Sequence, residues 1–292
     1  MNHVLQNDQL TVTIGDLGAE PLSVRRGSCE YLWQAKHPDF WQNHAPILFP
    51  ICGRLFQGRY RYRDTEYEMT LHGFARHLAH TYEGGTDREA RFSLAATDEL
   101  KRQYPFDFRL EMTYRLDGDT LRIGATVRNL GSVPMPFAYG AHPGFNVPLD
   151  GKGTFGDYEI VFGEACSPDK LVLSDACLNT GRRIPFPLRD GRSFPLDHHF
   201  FDNDGVFLTQ MADTATLRSD ATPRFVRLHY PDMRYLGFWH NPRTEAAFVC
   251  IEPWCGVPAH DGEEDDLERT KSDMFHLQPG ASRDIRYEIT FG

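Results

Sequence analysis

The chain has 292 residues, enough for one large β domain or two ordinary ones, and its 40% hydrophobic and 25% charged residues are a globular composition rather than a disordered one. A formal net charge of −10 makes it a poor partner for nucleic acid or an anionic membrane, and no apolar run approaches the length needed to span a bilayer. The opening residues Met1 to Asp8 lack the basic and apolar regions of a secretory signal, so a cytoplasmic protein is expected.

In chain order, Leu10, Val12 and Ile14 alternate with polar residues, which predicts a half-buried strand. Pro38 to Gln42 is a candidate short helix. Tyr60 to Arg63 and Glu66 to Met69 read as a hairpin turning at Asp64-Thr65, with Arg59 and Arg63 facing solvent. The strongest pattern runs from Phe108 to Val127. Apolar Phe108, Leu110, Met112, Tyr114 and Leu116 alternate with polar residues, Asp117-Gly118-Asp119 turns, and Leu121, Ile123, Ala125 and Val127 repeat the period. Period two on both sides of a glycine turn is a β-hairpin with one buried face. Phe225 to Tyr230 and Phe248 to Ile251 read as further strands. Asp261 to Asp266 reads as a solvated acidic loop, Asp265 to Lys271 as a second short helix, and Ile285, Tyr287, Ile289 and Phe291 as a last alternating strand. With no linker and no internal repeat, the whole pattern predicts one all-β domain over residues 1–292, a large β-sandwich.

The six cysteines include no CxxC pair, and we read them as reduced thiols serving as small buried hydrophobes. Cys250 and Cys255 flank the most unusual segment, although their spacing alone is weak evidence for a metal.

Four segments depart from ordinary strand and turn sequence: Phe49 to Leu55, Leu71 to Arg76, Tyr139 to Asn146 and Cys250 to Trp254. Each sets a His, Arg or Glu beside Gly or Pro and aromatic residues, as at strand ends facing a shared cleft. Glu252, before Pro253-Trp254, is a candidate base whose pKa a neighbouring indole would raise, or else a strand-end partner of an arginine. His142, held extended by Pro143, is a candidate acid, or a turn histidine bonded to backbone. His72 carries the same two readings. Arg54 and Arg76 can each fork onto paired oxygens. Trp239, Trp254 and Phe145 offer apolar faces. A metal site on His72, His142 and Glu252 competes, without support from a close-spaced histidine pair. Motifs of nucleophilic hydrolases and phosphate-binding loops are absent.

Taken together, Phe49-Pro50-Ile51-Cys52-Gly53-Arg54-Leu55, Leu71-His72-Gly73-Phe74-Ala75-Arg76, Pro134 to Asn146 and Leu236 to Trp254 resemble the aldose 1-epimerase, galactose mutarotase-like family, in its order and over nearly the whole chain. The resemblance implies a β-supersandwich fold and an isomerase that interconverts α and β anomers of a sugar without cofactor or metal. It implies Glu252 as base and His142 as acid, lying on opposite sides of a pyranose. His72 and Arg54 become sugar contacts, as does an aspartate, Asp204 or alternatively Asp202, with Arg76 and Trp239 completing the wall. The remaining expectations are a small-molecule sugar as partner, and a monomer or homodimer. Two alternatives stay open: a non-catalytic sugar sensor on the same scaffold, and a mutarotase for a phosphorylated or sulfonated sugar, for which Arg76 and His77 would supply a basic pocket.

Overall fold

The computed structural model describes residues 1–268 and 273–292. Among them the regular structure is β, punctuated by short 3-10 turns, with no α-helix. A nine-stranded antiparallel sheet runs in the spatial order Ser193–Pro195, Tyr158–Phe162, Thr214–Ser219, Thr222–His229, Ser282–Phe291, Thr120–Asn129, Phe108–Asp117, Glu89–Ala95, Thr81–Thr86. A second sheet runs Asn179–Pro185, Asp169–Leu173, Val206–Thr209, Tyr235–Trp239, Phe248–Trp254, Gly140–Ala141, Ile47–Leu48, with Gly144–Asn146 also paired to Phe248–Trp254. The sheets face each other across aromatic contacts: Phe194 meets Phe238 at 5.2 Å between ring centroids, and Phe49 meets Phe108 at 5.1 Å. One cluster of buried side chains, from Leu5 to Phe291, fills the space between them. The architecture is the large β-sandwich expected from the sequence.

The predicted central hairpin forms over Phe108–Asp117 and Thr120–Asn129, with alternating burial and Asp117 opposite Thr120. Gly118 occupies the first position of the two-residue turn at φ 60°, where a primed hairpin turn requires positive φ. The second hairpin turns one residue earlier than expected: Arg63 and Asp64 both take positive φ, and Tyr62 pairs with Thr65. Aspartate tolerates that region well and arginine less so, which is why the sequence pointed one position on.

Neither short helix is present where described. Pro38-Asp39 is a turn, and Asp265–Asp266 form a short strand parallel to Tyr60–Arg61, so part of the expected acidic loop is paired; residues 269–271 of that candidate lie outside the described residues. One or two large apolar residues in five to seven positions set no 3.6 period that a sheet edge could not override.

The strand expected to stop at Ile251 continues through Glu252 and Pro253 to Trp254. Proline in an interior strand removes a ladder donor, which argued for ending it there. Here the ladder is already open at that point. The Ile251 N–H donates to the Pro143 carbonyl, so the position of Pro253 two residues on faces the same side, where the partner segment breaks at His142-Pro143.

Candidate active site

The register of Phe248–Trp254 explains how the site assembles. Gly140 lies opposite Trp254 and Gly144 opposite Cys250, so the intervening His142 stands across from Glu252. His142 Nε2 is 3.2 Å from Glu252 Oε1, and the two side chains are 9% and 1% exposed. On the other side Glu252 faces Gly237, where a Cβ would press to 2.8 Å from the Phe207 ring. Gly140 and Gly144 likewise leave room for the rings of Trp254 and Trp41. Alternation then sends Cys250, Glu252 and Trp254 to one face of the strand.

His72 is fixed by a reciprocal clasp. Its backbone N–H donates to the Gly53 carbonyl at 2.9 Å, and the Gly53 N–H donates to His72 Nδ1 at 3.0 Å. A ring nitrogen that accepts is unprotonated, so the neutral imidazole carries its hydrogen on Nε2. The clasp needs φ of 65° at His72 and 73° at Gly73, and a Cβ on Gly73 would sit 2.2 Å from the Phe49 carbonyl oxygen. Gly53, at φ 77°, is required separately, because a Cβ there would sit 2.5 Å from the Pro258 ring.

Asp204, at φ 80°, accepts a hydrogen bond from Trp239 Nε1 at 2.9 Å. Arg76 donates to the Leu71 carbonyl at 3.1 Å and to His77 Nε2 at 3.0 Å. Glu252, His142, His72, Arg54, Asp204, Arg76 and Trp239, the residues expected from the sequence, all line one cavity of about 330 Å³. Such a volume is at the small end of small-molecule sites. Asp202 instead pairs with His199 at 3.0 Å and is no part of the lining, and Phe145 is buried within the core. His77 also lies outside the lining.

One expected relationship is different. Glu252 and His142 do not stand on opposite sides of a ring-sized gap; they touch. Cross-strand register, with His142 directly opposite Glu252, brings the two side chains together.

The cavity is electrostatically unusual. Burial pushes the Glu252 carboxyl well above the ordinary range, with the Asp204 charge adding to it, and burial pulls His142 down to about 3. Both effects favour an uncharged pair. Burial also holds His72 well below its usual value, helped by His142 and the two nearby arginines. Among the described residues, neither oxygen of Glu252, nor Nδ1 of His142, nor Nε1 of Trp254 has a hydrogen-bond partner. Buried polar atoms are nearly always paired, so such a cluster marks a place where another molecule supplies partners.

Sequence reasoning missed Trp41, Asn43 and Cys177 in the wall. Trp41 stacks near His142 at 4.8 Å between centroids, and its backbone N–H donates to Asn241 Oδ1 at 2.9 Å. Its aromatic pair with Phe40 between two prolines was the available signal. Cys177 departs from the buried-hydrophobe reading: it lines the cavity at φ 59°, and burial, with Asp204 beside it, pushes its thiol up to about 11. Cys29, Cys166, Cys177, Cys250 and Cys255 are free thiols.

A hollow of about 440 Å³ on the outer face of the nine-stranded sheet is different in kind. Its Arg122, Arg286 and His229 already meet Glu288, Asp284 and Asp213 in exposed ion pairs.

The chain belongs to the aldose 1-epimerase family, whose model matches residues 1–290. It is 32% identical to the plasmid-encoded protein LacX of Lactococcus lactis over 296 aligned positions, covering 98% of each chain. Its structure is similar to that of a galactose mutarotase related enzyme from Lactobacillus acidophilus, at 32% identity and a TM-score of 0.94, covering 100% of this chain and 97% of that one. A galactose mutarotase-like protein from Lactobacillus casei aligns over the full length of both chains at 30% identity and a TM-score of 0.92. No helix among the described residues is long and apolar enough to cross a membrane.

Proposed function

We propose that the protein interconverts the α and β anomers of an aldose by acid–base ring opening, with Glu252 and His142 as the proton-transfer pair. The observation that carries this reading is their contact at 3.2 Å in a cavity, where both are buried and, among the described residues, Glu252 Oε1, Oε2 and His142 Nδ1 have no hydrogen-bond partner. Glu252 takes the proton of the C1 hydroxyl while His142 delivers one to the ring oxygen. The C1–O5 bond breaks, the aldehyde turns about C1–C2, and the steps reverse on its other face. The pair holds one proton throughout, and ring opening carries it from imidazole to carboxyl by way of the sugar. Burial opposes the charged starting distribution, so hydrogen bonds from the bound sugar to the Glu252 carboxylate must hold it ionised before the step.

The His72 Nε2–H, fixed by Gly53, supplies a hydrogen-bond donor without titrating. Trp239 and Trp41 present apolar faces to the C–H side of the sugar. Arg54 and Asp204 read hydroxyls. The free thiols support a reducing compartment, the cytoplasm.

The test is anomer exchange of common aldoses, followed by polarimetry or NMR. Glu252→Gln is expected to lose at least about 10²-fold in turnover while still binding sugar, the range set by removal of a general base. Full activity in that variant overturns the assignment of the base. Sugar binding to the wild type with no exchange at all would support a sensor instead.

A second reading, an aldose carrying a phosphate, sulfonate or carboxylate, draws on a specific observation. Neither Arg54 nor Arg76 has a carboxylate within ion-pair distance among the described residues, although Arg76 is half-buried. Comparing exchange of a hexose with that of its 6-phosphate separates the two substrate classes.

A further inference from the structure

The proton-transfer pair has a third neighbour that ring opening does not use. Cys250 and Glu252 leave the same face of their strand, and His142 meets them from the adjoining segment. One ligand atom from each, a ring nitrogen, Sγ and a carboxylate oxygen, lies within 4.8 Å of the other two, and all three residues are buried. Glu252 and His142 also bring buried polar atoms without hydrogen-bond partners. A sugar accounts for the carboxylate and the imidazole. It gives no reason for a thiol beside them.

We infer that Glu252, His142 and Cys250 form a binding site for a thiophilic divalent cation, Zn²⁺ or Cd²⁺, whose occupancy blocks anomer exchange. Nitrogen, sulfur and a single carboxylate are the ligand set of zinc, whereas magnesium and calcium take oxygen ligands only. Tetrahedral bonds of the usual lengths put sulfur and nitrogen about 3.5 Å apart, so the widest separation must close by about 1 Å. Side-chain torsions of the glutamate and cysteine can absorb such a movement. On coordination the Cys250 thiol and the Glu252–His142 pair each release one proton to solvent. The cavity leaves the fourth position to water, as in open zinc sites. His72, the third ligand expected from the sequence, is engaged elsewhere, because its Nδ1 accepts the Gly53 N–H and its ring stands edge-on to His142 at 5.6 Å between centroids. The cation therefore takes both proton-transfer groups out of service, a form of regulation that rests on the function proposed above.

Binding is read without activity by titrating the full chain with Cd²⁺ and following the ultraviolet thiolate-to-cadmium charge-transfer band. The wild type is expected to show one equivalent with that band, Cys177→Ala to keep it, and Cys250→Ala to lose it. Glu252→Gln, which changes no volume, is expected to weaken Cd²⁺ binding by at least about tenfold. In the exchange assay, Zn²⁺ is expected to inhibit the wild type in step with occupancy, while Cys250→Ala remains active and resists Zn²⁺. A band that persists without Cys250, or that depends on Cys177, overturns the site. Equal Zn²⁺ inhibition of wild type and Cys250→Ala overturns the mechanism. If Cys250→Ala does not fold, an unaltered Cd²⁺ affinity in Glu252→Gln overturns the site on its own. A wild type that binds Cd²⁺ with the band but exchanges no anomers would refute the proposed function and leave the metal site standing.

Discussion

Trp239 Nε1 donates to Asp204 Oδ1 at 2.9 Å, and this bond joins a strand end to the turn that carries the aspartate into the cavity. The same turn is tied again where His198 Nδ1 meets His240 Nε2 at 2.9 Å. The indole thus positions a carboxylate as well as offering a face. Trp239→Phe and Asp204→Ala are each expected to raise KM more than they lower kcat. A double-mutant cycle on sugar affinity should return a coupling of up to about 1.5–3 kcal/mol, the range for a hydrogen bond to a charged group. Additivity within about 0.3 kcal/mol would show that the bond does not serve binding.

His72 should act without titrating. Burial holds it neutral, and the Gly53 N–H fixes its tautomer. His72→Gln is expected to lower kcat/KM by about tenfold, one hydrogen bond's worth, while the pH–rate profile keeps its shape. A displaced profile would make His72 a proton-transfer group.

Gly73 has a purely steric task. Its φ is 73°, and a Cβ there would lie 2.2 Å from the Phe49 carbonyl oxygen, which leaves no space for a methyl group. Gly73→Ala is expected to destabilise the fold by more than about 1 kcal/mol, read as a lower urea midpoint with unchanged m-value.

Acid should weaken the fold through buried histidines away from the cavity. Burial lowers both His80 and His240 to about 4. The unfolded chain takes up these protons near pH 6.5, where the native state does not. Stability is therefore full above that pH and falls as pH drops toward 4, by about 1.4 kcal/mol per pH unit for each histidine. Urea midpoints measured from pH 7 to 4 check the slope. His80→Gln, which keeps a donor for the Ala75 carbonyl that His80 Nε2 contacts at 3.1 Å, should remove its share.

Much of the sheet was legible because one-sided burial writes itself as period two, as in Phe108–Asp117 and Ser282–Phe291. The site was legible only where chemistry-bearing residues adjoined Gly or Pro. Glu252 looked like a strand-end residue, since a proline follows it, and nothing local reveals that its partner segment breaks at the same level. The choice between Asp202 and Asp204 depended on a single positive φ. Trp41 was hidden in a stretch whose spacing resembled a short helix, and contact between Glu252 and His142 is a matter of cross-strand register that no single segment encodes.

The carboxyl proposed for chemistry rides on an interior strand whose seven residues are all buried. Such strands exchange their amide protons only when the entire molecule opens. Heat or denaturant should accordingly extinguish anomer exchange and the native fluorescence in a single step, with no inactive yet folded form preceding collapse.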